Sequence, residues 1–210
     1  GAIGMGVGKL NLPGKPSDMP TKQAAAAVGQ CELMYTYDKL FLQYNHTVAQ
    51  VLLTGEDVDH PERRENFENT MERLLELGAL PVINENDTIA TAEIKVGDND
   101  TLGAIVACCT KADLLVLLSD IEGLYTADPR KDPNAKLIPT VEEVTPEIEA
   151  LAGGVGSSLG TGGMATKLRA AKMVTAQGCD MVITNGEHPE RLYDIAEGKD
   201  VGTRFVAHKA

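Results

Sequence analysis

Leu80-Pro81-Val82-Ile83-Asn84-Glu85-Asn86-Asp87 runs from a short apolar segment straight into amides and carboxylates, and Lys95-Val96-Gly97-Asp98-Asn99-Asp100 adds a second polar cluster soon after. The apolar part is too short for a helix and reads as a buried strand. Three more runs of the same kind follow the same logic: Val48 to Leu53, Leu114 to Leu118 and Met181 to Ile183, with a possible fifth at Arg204 to Ala207. Helical spacing separates them. Lys22 to Tyr44 and Thr101 to Cys109 carry apolar residues at helical intervals, and Arg63 to Leu77 and Met164 to Gln177 stop at Gly78 and Gly178 as C-terminal caps would. Strands alternating with helices predict an α/β fold, a three-layer αβα sandwich around a mostly parallel sheet.

In such a fold the ligand lies at the carboxyl ends of the strands. The Asn84 to Asp87 cluster follows one strand, Ser119-Asp120 follows another, and Gly97 to Asp100 opens a helix whose N-terminal amides could face an anion. Dense Asn, Asp and Lys suit a zwitterionic substrate or cations around phosphate, although a solvated polar loop would carry the same residue types. Gly160-Thr161-Gly162-Gly163-Met164-Ala165-Thr166-Lys167 is a glycine-rich turn entering a helix. Such a turn can cradle phosphate on backbone amides, with Lys167 supplying a full charge, or it can be an ordinary connection. It lacks the G-x-x-x-x-G-K-[ST] spacing of a Walker A loop. Leu118-Ser119-Asp120-Ile121-Glu122-Gly123-Leu124-Tyr125 is either a nucleotide-binding edge, with the Tyr125 ring beside a base, or a plain strand exit.

The chain has 210 residues and a formal net charge of -12, with no basic stripe, which argues against nucleic acid as a partner. Any anionic substrate must be held locally, by single lysines, helix N-termini or a divalent cation. The four cysteines, Cys31, Cys108, Cys109 and Cys179, form no C-x-x-C pair, so they read as reduced, small apolar residues of a cytoplasmic protein and not as a zinc site. No apolar run reaches the roughly 20 residues of a membrane span, and no signal peptide is visible. His46, His60, His188 and His208 sit in loop-like or terminal contexts without a nucleophile beside them. Phosphoryl transfer fits that absence, since it depends mainly on positioning and charge.

Taken together, V-I-N-E-N-D, K-V-G-D-N-D, L-S-D-I-E-G-L-Y-T-A-D-P-R and G-T-G-G-M-A-T-K resemble the glutamate 5-kinases, a branch of the amino acid kinase family, over essentially the whole chain. The resemblance implies ATP-dependent phosphorylation of the L-glutamate side-chain carboxylate, the first step of proline synthesis, with Mg2+ accompanying ATP. It implies that Asn84, Asp87, Asp98 and Asn99 hold glutamate. Asp100 would orient the catalytic lysines, Lys167 would neutralise the transferred phosphoryl group, and Lys95 would lie nearby. Ser119, Asp120, Tyr125 and Thr161, Gly162, Gly163, Met164, Ala165, Thr166 and Lys167 would bind ATP. L-proline is then the expected feedback inhibitor, and a homo-oligomer, dimer or tetramer, the expected assembly.

The family pattern also differs from this sequence. Its members begin with a strand carrying a Lys-Gly-Thr motif and a second strand ending in Thr-Ser before the Gly1-Ala2-Ile3 seen here. Residues 1–210 are therefore expected to form an N-terminally incomplete amino acid kinase domain without the RNA-modification-enzyme-like domain many members append. A chain of only these residues is expected to be inactive or poorly folded; alternatively, a preceding segment lies outside them. Two rival readings are the kinase part of a bifunctional pyrroline-5-carboxylate synthase and a regulatory module that binds glutamate or proline without transferring phosphate.

Overall fold

The computed structural model describes residues 1–91, 96–152 and 163–208. In chain order the elements are α1 (Ala2–Lys9), α2 (Met19–Leu42), β1 (Thr47–Leu53), α3 (Gly55–Asp59), α4 (Pro61–Glu76), β2 (Ala79–Glu85), α5 (Asn99–Cys109), β3 (Leu114–Ser119), β4 (Thr140–Val141), α6 (Pro146–Leu151), α7 (Met164–Thr175), β5 (Asp180–Asn185), α8 (Arg191–Ala196) and β6 (Thr203–Phe205). They form two compact units, Gly1–Val96 and Gly97–Ala210.

In the first unit β1 and β2 pair in parallel, with Val48 opposite Leu80 and Leu52 opposite Asn84. Asp18 caps α2 by accepting from the Thr21 N–H at 2.9 Å, and Pro20 sits in the first turn, where no N–H is missed. The buried stripe of α2 consists of Ala25, Ala26, Gly29 and Gln30. Small residues there let α1 approach to backbone contact: a Cβ on Gly29 would lie 1.7 Å from the Ala2 carbonyl oxygen, and one on Gly6 would lie 1.7 Å from that of Ala25. Thr54 and Asp57 close a capping box at α3, the Asp57 carboxylate accepting from the Thr54 N–H at 2.8 Å.

The second unit holds a four-stranded sheet in the order β3-β5-β6-β4. β3 pairs with β5 and β4 with β6 in parallel, whereas β5 and β6 are antiparallel. Its core gathers Leu117, Val141, Leu168, Val174, Met181, Ile183 and Phe205 from sheet and helices, with Leu124 from the loop after β3. The buried Thr203 hydroxyl accepts from the Leu124 N–H at 2.8 Å and donates to the Ile138 carbonyl at 2.6 Å. That bond ties the loop after β3 to β6 without leaving a polar group unpaired.

The mostly parallel α/β expectation is thus met, and the strand assignments at Val48, Leu80, Leu114 and Met181 fall within observed strands, whereas that of Arg204 to Ala207 overlaps β6 only at Arg204 and Phe205. Gly78 and Gly178 have φ of +72° and +81°, the left-handed conformation expected of helix-ending glycines. β4 and the short helices α1, α3, α6 and α8 carry no corresponding expectation. Cys109 and Cys179 are buried and Cys108 half-buried, as small apolar residues should be, but Cys31 is exposed on α2.

Candidate functional site

Each unit brings together part of the residues singled out from sequence. In the second unit the centre is Asp100, in the first turn of α5, and Lys167, in the first turn of α7. The Lys167 ammonium donates to Asp100 Oδ2 at 2.9 Å, with the two side chains only 10% and 16% exposed. The Thr166 hydroxyl lies 2.7 Å from the same carboxylate oxygen and 2.7 Å from the Gly163 carbonyl oxygen. A cation this poorly hydrated is held in one place by its partner, and it needs that partner or an anionic ligand to offset its desolvation.

α7 begins at Met164 directly after Gly163, and among the described residues no side chain caps it. The first N–H groups of a helix suit an anion, and here they lie on the same first turn as the Lys167 charge. The N-terminus of α5 differs from the expectation of anion-facing amides. There Asp98 is the cap, accepting from the Thr101 N–H at 2.7 Å and from the Thr101 hydroxyl at 2.9 Å, so its own carboxylate already serves that end. Asn99 is the first residue of the same helix.

Ser119 ends β3, and Asp120 follows it into solvent. The Ser119 hydroxyl donates to Asp120 at 3.2 Å and the Arg130 guanidinium at 3.1 Å, which together hold the Asp120 carboxyl below its ordinary range, the hydroxyl contributing most. Tyr125 is half-buried, and its backbone bridges Leu137 across the same loop. Beneath this edge Glu122 is paired with Arg191 and accepts from Asn185 at 3.0 Å, so its carboxyl also titrates lower than usual.

In the first unit the polar cluster at the end of β2 surrounds a small crevice. Glu85 is 8% exposed and accepts from the Val96 N–H at 2.5 Å. Asn86 starts a turn: its N–H donates to the Leu53 carbonyl at 2.7 Å, and its own carbonyl accepts from Ala90 at 3.0 Å. Asp87 and Thr88 line the crevice with Gln30, Leu52 and Glu85. The Asn84 amide donates to the Gln30 side-chain oxygen at 3.2 Å. Sequence reading passed over Gln30; the available signal was a lone amide on a helix face otherwise made of alanine and glycine. Lys95, Thr161 and Gly162 lie outside the described residues.

His46, His60, His188 and His208 are all exposed. Among the described residues there is no group of three acidic, histidine or cysteine side chains able to hold a metal by themselves.

The matches to known proteins give this α/β arrangement a class. The amino acid kinase family profile matches residues 3–185, and the chain belongs to that family. Among its relatives, the glutamate 5-kinase of Clostridium perfringens is 54% identical over 213 residues, an alignment covering 100% of this chain and 79% of the relative. That of Clostridium tetani is 56% identical over 209 residues, covering 100% and 78%. Solved structures agree on the fold at much lower identity. T. acidophilum isopentenyl phosphate kinase superposes with a TM-score of 0.62 at 18% identity over 96% of this chain and 78% of its own. Carbamate kinase from Giardia lamblia gives 0.64 at 14% identity over 99% and 82%.

Proposed function

We propose that the protein transfers the γ-phosphoryl group of ATP to the side-chain carboxylate of L-glutamate, yielding L-glutamyl 5-phosphate and ADP as the first step of proline biosynthesis. The observation that carries the reading is the buried Lys167–Asp100 pair at the head of α7, supported by more than 50% identity to glutamate 5-kinases along the whole chain.

The chemistry asks little of acid–base groups. A carboxylate is already ionised at neutral pH, so one of its oxygens attacks the γ-phosphorus directly, the bond to the β,γ-bridging oxygen breaks, and ADP leaves without a proton being removed first. That agrees with four histidines on the surface. What the reaction needs is positive charge on the transferred group, and a lysine fixed in a poorly hydrated position supplies it at little reorganisation cost. In this reading Lys167 performs that task with Lys95, Asp100 fixes the direction of Lys167, and the first amides of α7 from Met164 and Ala165 contact phosphate. Ser119, Asp120, Tyr125 and the Thr161 to Thr166 turn hold the nucleotide. Asn84, Asp87, Asp98 and Asn99 hold glutamate, carboxylates suiting its ammonium and amides its carboxylates. Mg2+ would accompany the nucleotide, as it commonly does through phosphate oxygens. Bound so, it would neutralise phosphate charge. Inhibition by L-proline, a cytoplasmic location and homo-oligomeric assembly complete the reading on the strength of the resemblance; among the described residues no helix is long and apolar enough to cross a membrane.

The test is to incubate the protein with ATP, Mg2+, L-glutamate and hydroxylamine, which converts an acyl phosphate to a hydroxamate. Glutamate-dependent hydroxamate matching the ADP released is the expected result. ADP release that ignores glutamate, or none from folded protein, overturns the proposal.

A further inference from the structure

We infer that Gln30 is a substrate-positioning residue, its side-chain amide donating to a carboxylate oxygen of the amino acid bound at the end of β2. The inference rests on the glutamate reading above and extends it to a residue on α2.

Gln30 is 7% exposed and lines the crevice with Leu52, Glu85, Asp87 and Thr88. Its oxygen is engaged by the Asn84 amide at 3.2 Å, which leaves the nitrogen end as its unused donor. That nitrogen is buried and has no hydrogen-bond partner among the described residues. Buried amide N–H groups are nearly always satisfied, because an unmade bond forfeits hydration without replacement. Nothing in the packing of α2 requires an amide there, since the rest of the buried stripe is Ala25, Ala26 and Gly29.

The crevice explains what the donor is for. Glu85 and Asp87 bring negative charge that favours an ammonium group and repels a carboxylate. A ligand carrying both needs N–H donors on the carboxylate side. The Asn84 amide commits one of its two N–H groups to Gln30, whereas the Gln30 nitrogen, without a partner among the described residues, has both of its own to offer. The same hydrogen bond orients it: Asn84 donating to the Gln30 oxygen sets which end of the Gln30 amide remains for a ligand.

The test compares wild-type protein with Gln30→Met, which keeps side-chain length and deletes both the donor and the oxygen that accepts from Asn84, and with Gln30→Glu, which keeps an acceptor for Asn84 and replaces the donor with negative charge. A hydrogen bond to a charged group predicts that KM for L-glutamate rises about tenfold to a hundredfold in Gln30→Met and further in Gln30→Glu. The KM for ATP, and kcat at saturating glutamate, stay within about threefold, since the γ-phosphoryl group is not what Gln30 touches. Calorimetric titration with L-glutamate and the thermal midpoint of ligand-free protein accompany the kinetics. Should Gln30→Glu fail to fold, Gln30→Met alone decides. An unchanged glutamate KM in Gln30→Met overturns the inference while leaving the functional reading intact. So does a rise matched by the ATP KM and a large fall in thermal midpoint, which marks a structural role. Wild-type protein that neither binds nor phosphorylates glutamate overturns both.

Discussion

Lys167 and Asp100 are 67 residues apart in sequence, and their side chains meet at 2.9 Å with both largely hidden from water. Removing either partner has a different consequence. Under the proposed function Lys167→Met deletes the charge assigned to the transferred phosphoryl group, and loss of one such stabilising donor lowers kcat by about 10²–10³ fold with the KM for glutamate little changed. Asp100→Ala instead strands a buried ammonium, which costs on the order of 3 kcal/mol of stability in addition to activity. Steady-state kinetics and urea denaturation on the two variants separate these effects.

Asp98 has one observed duty and one proposed duty to separate. As the cap of α5 it accepts from the Thr101 N–H, so Asp98→Ala should cost about 1 kcal/mol of stability, whereas Asp98→Asn, an equally good cap, should cost a few tenths. If Asp98 also holds the glutamate ammonium, Asp98→Asn raises the glutamate KM even though it folds normally. Denaturation midpoints and glutamate KM measured on both variants check the pair of expectations.

The two halves of the problem were unequally legible in the sequence. Strands such as Leu114–Ser119 announce themselves because both faces are apolar, and α4 and α7 end at glycines whose positive φ other residues resist. β4 is two residues long and exists because Thr140 and Val141 pair with Arg204 and Phe205, a relation no local pattern encodes. α1 was invisible for the opposite reason: Gly4, Gly6 and Gly8 argue against a helix, and the packing of its Ala2 and Gly6 on α2 overrides that propensity. At the site, residue types could be read but contacts could not. Lys167 and Asp100 were assigned through resemblance, and the Asp98 cap and the Gln30 amide emerged from geometry alone.

The glycines of α1 and α2 make opposite predictions. A Cβ at Gly29 would stand 1.7 Å from the Ala2 carbonyl oxygen and 2.6 Å from the Gly6 nitrogen, both backbone atoms. Gly29→Ala must therefore push two helices apart, at a cost of about 3 kcal/mol or more. Gly4 and Gly8 face open space, so alanine there should stabilise α1 by roughly 0.5–1 kcal/mol each. Chemical denaturation of the three single variants checks both the sign and the contrast.

Cys179 sets an alkaline limit on stability. The residue is 2% exposed immediately before β5, and burial, with smaller contributions from Cys108 and Asp180, pushes its pKa from the ordinary 9.0 up to about 11. A thiol that ionises less readily in the folded state favours folding while it is protonated. Below pH 9 both states hold the proton and the full contribution is present. Between about pH 9 and pH 11 the unfolded chain releases its proton first, so stability falls as pH rises, at up to about 1.4 kcal/mol per pH unit, and levels off beyond the folded-state pKa. Cys179→Ala removes that titration. Urea midpoints at pH 8, 9.5 and 10.5 should converge as the wild type loses stability faster than the variant, and parallel pH dependences in the two proteins would assign the alkaline loss to other groups.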